Sequence, residues 1–231
     1  MRYQQVCHTV ATTSTDNPVT PERPKLRGML HAAAFVVSCA VGAVFVAYAT
    51  GTLVTVSAAI FAGSVSAMLL ASTLYHRVTW SPRARPWMRR LDHAGIYLLI
   101  AGTYTPVGLI AVHGTMQRVV LAVVWGGALV ATLVKFLWVR APKWLAVVFG
   151  ITLGWAGVAA MPQLEQHEGW AAVVLLGAGG LAYTAGAIVY AFRRPDPFPK
   201  VFGYHELFHA FTLVALVCQY TAIAFYVVRV T

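Results

Sequence analysis

The amino-acid sequence predicts an all-α membrane protein, a bundle of seven transmembrane helices. Three observations predict this fold class. Hydrophobic residues make up 59% of the chain and charged residues 10%, against roughly 45–50% and about 25% in soluble domains. Seven apolar runs approach the ~20 residues needed to cross ~30 Å of hydrocarbon. The net charge is +10, but the basic residues lie in short clusters between those runs, which indicates membrane orientation and not nucleic-acid binding.

The chain begins with a polar segment. Residues 1–27 are rich in Thr, Pro and charge and lack periodicity, so we expect a flexible cytoplasmic tail followed by a transmembrane domain over residues 28–231. The first 25 residues contain no apolar segment typical of a cleavable signal peptide. Cys7, Cys39 and Cys218 are far apart and predict neither a disulfide framework nor a thiolate metal site.

The apolar runs follow one another with short polar connections. The first two are separated by little more than Gly51, which predicts a tight helical hairpin. No polar segment is long enough for a second domain. The predicted spans are residues 28–50, 53–76, 92–112, 117–139, 143–161, 169–192 and 204–228.

Membrane orientation follows from the basic residues. Fifteen of the 17 Lys and Arg residues fall in the N-terminal segment or near the second, fourth and sixth connections, and only Arg118 and Arg229 fall on the other side. By the positive-inside rule, the N-terminus is cytoplasmic and the C-terminus extracytoplasmic.

A pair of histidines opens the seventh run. His205 and His209 are four residues apart and therefore lie on one helical face, a spacing typical of metal ligands. In the predicted topology, the second run ends at His76 and the third begins at Asp92, both on the side where the seventh run begins. Three neutral imidazoles can bind Zn²⁺ and leave a fourth position for water, which is typical of catalytic zinc.

These residue types point to hydrolysis. Ionisable residues within membrane spans are costly and usually functional. A zinc ion activates a water molecule and polarises a carbonyl, which suffices for amide or ester cleavage. Asp92 is suited to act as the general base. Ser72 lies four residues before His76 on the same helical face and is suited to support the water or a carboxylate by hydrogen bonding.

The remaining histidines have a less specific interpretation. His93 follows Asp92 and points about 100° away from it on a helix, so we leave it outside the ligand set. An isolated histidine at a membrane interface is usually a polar interfacial residue, and we expect this of four of them: His8, His31, His113 and His167.

Residues 205–209 also match the zinc-protease motif HExxH, in which the glutamate is the general base. An intramembrane metalloprotease with Glu206 as base and Asp92 as third ligand is therefore an alternative. The motif is short, and its position in the last span disfavours this interpretation.

Three sequence blocks carry a family resemblance. They are Ser72-Thr-Leu-Tyr-His76, Leu91-Asp92-His-Ala-Gly-Ile96 leading into Ala101-Gly-Thr-Tyr-Thr-Pro106, and His205-x-x-x-His209. In order, spacing and helix position they resemble the signature blocks of the progestin and adipoQ receptor (PAQR) family, and in particular its bacterial hemolysin III branch. The resemblance covers all seven runs.

The resemblance implies a seven-helix bundle with an intracellular N-terminus, in a bacterial cytoplasmic (inner) membrane. It also implies zinc held by His76, His205 and His209, with Asp92 and Ser72 beside the metal water, and it assigns no role to Glu206. Animal members of the family resemble alkaline ceramidases in their site, and bacterial members are associated with membrane homeostasis.

Together these observations favour a zinc-dependent hydrolase of lipid amides or esters that acts on membrane lipids, including ceramide-like substrates. Two further alternatives come from other classes of protein. One is a non-enzymatic membrane sensor or regulator in which zinc links the second and seventh helices. The other is a hemolysin-type pore, which the family name suggests more than the residues do, since no run carries a polar stripe along its whole length.

Overall fold

The computed structural model describes residues 24–138 and 142–229. Within these ranges the chain is helical, and seven of its helical spans are long and apolar enough to cross a membrane. The predicted all-α, seven-span fold class is therefore confirmed, and the protein is a multi-pass membrane protein. The predicted tail lies mostly outside the described residues.

In the described part of the chain, eight α-helices make up the seven spans, because the fifth span is interrupted. The α-helices are α1 Met29–Tyr48, α2 Thr52–Arg77, α3 Arg85–Pro106, α4 Gly114–Leu137, α5 Lys143–Gly154, α6 Met161–Glu168, α7 Trp170–Phe192 and α8 Tyr204–Ala222. A π-helical turn extends α3 over Val107–Ala111, and another extends α8 over Ile223–Val227.

The fifth span is longer than the sequence predicted. Its predicted end was residue 161, but after α5 a 3₁₀ segment, Ala156–Ala160, leads into α6, which ends at Glu168. Pro162 occupies the first turn of α6, where its missing N–H has no helical partner to lose. Pro162 therefore lies at the start of a new helix, and the span continues to Glu168.

The third helix begins earlier than predicted. It starts at Arg85 and not at residue 92, so Asp92 lies two turns inside it. The basic residues of this region therefore occupy the first turns of α3, where the Arg90 guanidinium lies 4.4 Å from the ring centroid of Trp87. This cation–π contact places an aromatic and a basic side chain together at a helix end, as is typical of a membrane interface.

The centre of the bundle is formed by the second, third and seventh spans. They bury 44%, 56% and 44% of their most apolar segment, against 11% to 28% in the other four. Phe61, Leu69, Tyr97 and Ile223 are among their fully buried side chains. At the crossing of α2 and α3, a Cβ at Gly102 would collide with the Ser64 side chain, so this glycine permits close helix contact.

The segment before α1 is attached to the connection between α7 and α8. We call residues 24–28 the N-terminal strap. The Lys25 and Leu26 N–H groups donate to the carbonyls of Lys200 and Val201, at 3.0 and 3.1 Å. Gly28 has a φ of +75°, and its Cα lies so close to His76 that an added Cβ would be 2.6 Å from the His76 Cβ. The strap therefore covers the end of the bundle where α2 ends and α8 begins.

Candidate metal centre

Three histidines from two helices meet at this end of the bundle. His76 lies near the C-terminus of α2, and His205 and His209 lie in the first two turns of α8. The Nε2 atoms of His76 and His205 are 3.2 Å apart. One ligand nitrogen from each of the three residues lies within 4.8 Å of the others. The structure thus brings together the three imidazoles that the sequence suggested as metal ligands.

Asp92 and Ser72 border this cluster. An Asp92 carboxylate oxygen, Oδ2, lies 3.8 Å from His76 Nε2, and Ser72 is a hydrogen-bond partner of the Asp92 side chain. Ser72 is buried, and the i, i+4 spacing places it one turn from His76 on the same face of α2. The helix α3 therefore supplies a carboxylate to a cluster whose nitrogen ligands come from α2 and α8.

His31 also belongs to the site, and the prediction that it is an interfacial polar residue was wrong. It is only 2% exposed. Its Nδ1 lies 2.8 Å from Ser72 Oγ, and its ring stacks on that of His209 with centroids 3.8 Å apart and planes 6° apart. The first turn of α1 packs inside the bundle at this depth, so its histidine contacts the cluster instead of the membrane interface.

The Glu206 carboxylate contacts Gly203 and Arg27 and does not contribute to the histidine cluster. One carboxylate oxygen accepts the Gly203 N–H at 2.9 Å, which caps the N-terminus of α8. The other lies 2.6 Å from Arg27 Nε in the strap. At the same helix end, Asp196 Oδ1 accepts the Tyr204 N–H at 2.8 Å. These contacts fix the first turn of α8, which carries His205.

A cavity of about 190 Å³ extends from the cluster into the bundle. Its polar end includes His31, Ser72, Asp92, His205 and His209, and His93 lines it as well. The remainder is mostly apolar and is lined by α3, the fifth span, α7 and α8. Its far end includes Val112, Leu164 and Gln219. The cavity therefore combines a polar head at one end of the bundle with a long apolar body.

The histidines at the opposite end of the bundle are separate from this site. His113 and His167 are exposed, with ring centroids 4.8 Å apart. Their exposure at helix ends agrees with the predicted interfacial position. His8 lies outside the described residues.

The cluster fits a divalent metal ion by its donor set. Three imidazole nitrogens suit Zn²⁺ and several other divalent ions of the first transition row. His209 Nδ1 is buried and has no hydrogen-bond partner among the described residues, and such a nitrogen carries a large desolvation penalty. Three protein ligands fill only part of a tetrahedral shell, and Asp92 stands beside them.

Comparisons with known proteins agree with this architecture. The haemolysin-III related family matches residues 19–220. The "Hemolysin-3 homolog" of Bacillus subtilis (strain 168) is 33% identical over 175 residues, covering 76% of this chain and 79% of its own length. "Hemolysin-3" of Bacillus cereus is 32% identical over 168 residues, covering 73% and 74%.

The chain is also similar to a plant protein. The "Heptahelical transmembrane protein ADIPOR2" of Oryza sativa subsp. japonica is 30% identical over 176 residues, covering 70% of this chain and 77% of its own length. The family match spans most of the chain, including all three histidines of the cluster. The chain therefore belongs to the haemolysin-III related family, the bacterial branch of the PAQR proteins that its sequence blocks resemble.

Proposed function

We propose that this protein is a zinc-dependent hydrolase of lipid amide or ester bonds, with its site near the cytoplasmic face of a bacterial inner membrane. The observation that carries the proposal is the three-histidine cluster at the head of a largely apolar cavity, with Asp92 beside it. His76, His205 and His209 would hold the ion. When bound, such an ion polarises a carbonyl and activates water.

The protein's own residues have separable roles in this reaction. Asp92 accepts the proton of the attacking water as the water oxygen bonds to the carbonyl carbon. As the carbon–nitrogen or carbon–oxygen bond breaks, Asp92 returns that proton to the leaving amine or alcohol. Ser72 orients Asp92 through their hydrogen bond. The apolar body of the cavity takes up the acyl chain, which places the carbonyl at the polar head.

The location near the cytoplasmic face rests on charge. The strap, the segment from the last residue of α2 to the first turns of α3, and the connection between α7 and α8 lie at the same end as the cluster, and they carry ten of the 17 Lys and Arg residues. The positive-inside rule places such an end in the cytoplasm.

The experiment is a lipid turnover assay on the purified full-length protein. Ceramides and other lipid amides and esters are incubated with zinc-loaded and chelator-treated protein. Asp92→Asn, which keeps the side-chain volume, should bind zinc more weakly but still load with the ion when zinc is in excess, and under those conditions it should lose at least about 100-fold in turnover, as expected for removal of a general base. Turnover by the wild type no greater than that of the triple variant His76→Ala, His205→Ala, His209→Ala contradicts the proposal.

A structural role for the ion is the second candidate, because its ligands come from α2 and α8 and would link the two helices. In that case Asp92→Asn leaves function intact, whereas each histidine variant lowers the stability of the bundle. The metalloprotease alternative is less compatible with the geometry, since Glu206 caps α8 and pairs with Arg27. To act as the general base of a protease, Glu206 would have to lose its contacts with both the Gly203 N–H and Arg27.

A further inference from the structure

His31 is a buried polar residue that the proposed reaction does not use. Its two contacts hold it in different ways. The hydrogen bond at Nδ1 to Ser72 Oγ fixes one ring atom, and the parallel stack on His209 fixes the plane of the ring. A side chain held at an edge and at a face has little freedom to rotate, so α1 presents a rigid group to the site.

The direction of the hydrogen bonds follows from the chemistry of the three groups. An ionised carboxylate only accepts hydrogen bonds, and a serine hydroxyl has one proton to donate. When Asp92 is ionised, Ser72 therefore donates its proton to Asp92, and the Ser72 oxygen accepts the Nδ1–H of His31. The three side chains form one chain of hydrogen bonds, from α1 through α2 to α3, that ends on the carboxylate.

We infer that His31 is a positioning residue of this site: its Nδ1–H fixes the Ser72 hydroxyl, and that hydroxyl holds the Asp92 carboxylate against the three-histidine cluster. The inference rests on the proposed function only in giving Asp92 a catalytic task. The positioning itself concerns a carboxylate 3.8 Å from His76 Nε2, and it has a consequence for metal binding that needs no substrate.

The test measures the Zn²⁺ dissociation constant of the full-length protein in detergent by competition with a chelator. Residues that orient groups around a metal change its affinity by roughly 10–100-fold. Ser72→Ala, which removes the central hydroxyl, should weaken binding about tenfold. His31→Phe keeps the aromatic stack and removes the hydrogen bond, so it should weaken binding to the same degree.

Non-additivity distinguishes positioning from simple packing. Because both substitutions act on Asp92 through one chain, the double variant His31→Phe, Ser72→Ala should bind no more weakly than either single variant. His31→Asn places an amide near the position of Nδ1 and should recover most of the affinity. His113→Phe is the matched control, because His113 is exposed at the opposite end of the bundle, and it should bind as the wild type does.

Several results would overturn the inference. They are wild-type affinity in His31→Phe, losses that multiply in the double variant, or an affinity in His31→Asn as poor as in His31→Phe. If His31→Phe fails to fold, Ser72→Ala removes the same hydrogen bond from its other end, and wild-type affinity in that variant is equally decisive. A protein that hydrolyses no lipid but shows the coupled loss supports the positioning role and contradicts only the hydrolase.

Discussion

Removing the charge of Arg27 should destabilise the bundle through Glu206. The Glu206 side chain is 1% exposed, that of Arg27 is 22% exposed, and Nε lies 2.6 Å from Oε1. Arg27→Met keeps most of the aliphatic length and removes the guanidinium. The carboxylate would remain buried with only the Gly203 N–H as partner, and an uncompensated buried charge is strongly unfavourable.

The expected loss is about 3 kcal/mol in the free energy of unfolding. Removing one partner of a buried ion pair costs about 3–5 kcal/mol. The lower end applies because Arg27 is partly exposed, which lets water reach the vacated space, and because the Gly203 N–H still binds the other carboxylate oxygen.

Reversible unfolding of the purified protein in mixed micelles of a mild detergent and SDS measures this free energy. Lys200→Ala is the matched control, since Lys200 contacts the strap through its carbonyl and its side chain is exposed. It should change stability by less than about 0.5 kcal/mol. The double variant Arg27→Met, Glu206→Gln should recover most of the loss, because glutamine keeps the cap without the charge.

A loss in Arg27→Met no larger than that of the control would show that the ion pair contributes nothing to the attachment of the strap. A double variant less stable than the single one would show that the buried charge is not the source of the loss. Either result refutes the reasoning.

Three further predictions concern glycines. Gly102→Ala should destabilise the α2–α3 crossing by about 1–3 kcal/mol in the same unfolding assay, whereas Gly63→Ala, with open space around its Cβ, should be neutral or slightly stabilising. Gly177→Trp, which fills the apolar body of the cavity, should abolish lipid turnover and leave the zinc content at the wild-type level. Gly28→Ala should cost at least about 1–2 kcal/mol from its positive φ, and by displacing His76 it should also weaken zinc binding.

The seven spans could be predicted because membrane crossing depends on a quantity that the sequence carries locally, the length of an apolar run. The end of the fifth span could not be predicted in this way. Pro162 and the polar residues up to Glu168 look like a connection, yet they continue the helical path after a 3₁₀ segment. Whether a proline ends a helix or begins one depends on the turn before it. Here that turn contacts a distant part of the chain, since the Gly157 N–H donates to the Tyr104 hydroxyl of α3 at 3.0 Å.

The site was partly predictable for a related reason. His205 and His209 share a face by helical spacing alone, and His76 and Asp92 joined them because the topology returns their helices to the same end. His31 offers no comparable spacing, since its partner Ser72 is 41 residues away. The topological argument applied to it equally, because α1 begins at the same end of the bundle. The expectation that an isolated histidine is interfacial fails for His31, because the first turn of α1 is packed inside the bundle and brings its ring onto His209.

The residues that match the HExxH motif lie on two different faces of α8. His205 and His209 point together because they are four residues apart, and Glu206 lies about 100° around the helix from His205. In this bundle the ligand face meets α2, and the glutamate face meets the strap. The carboxylate beside the cluster comes instead from α3. Replacing each carboxylate by its amide discriminates these roles. Glu206→Gln should lower the stability and leave the zinc affinity near that of the wild type. Asp92→Asn should weaken zinc binding and leave the stability near that of the wild type.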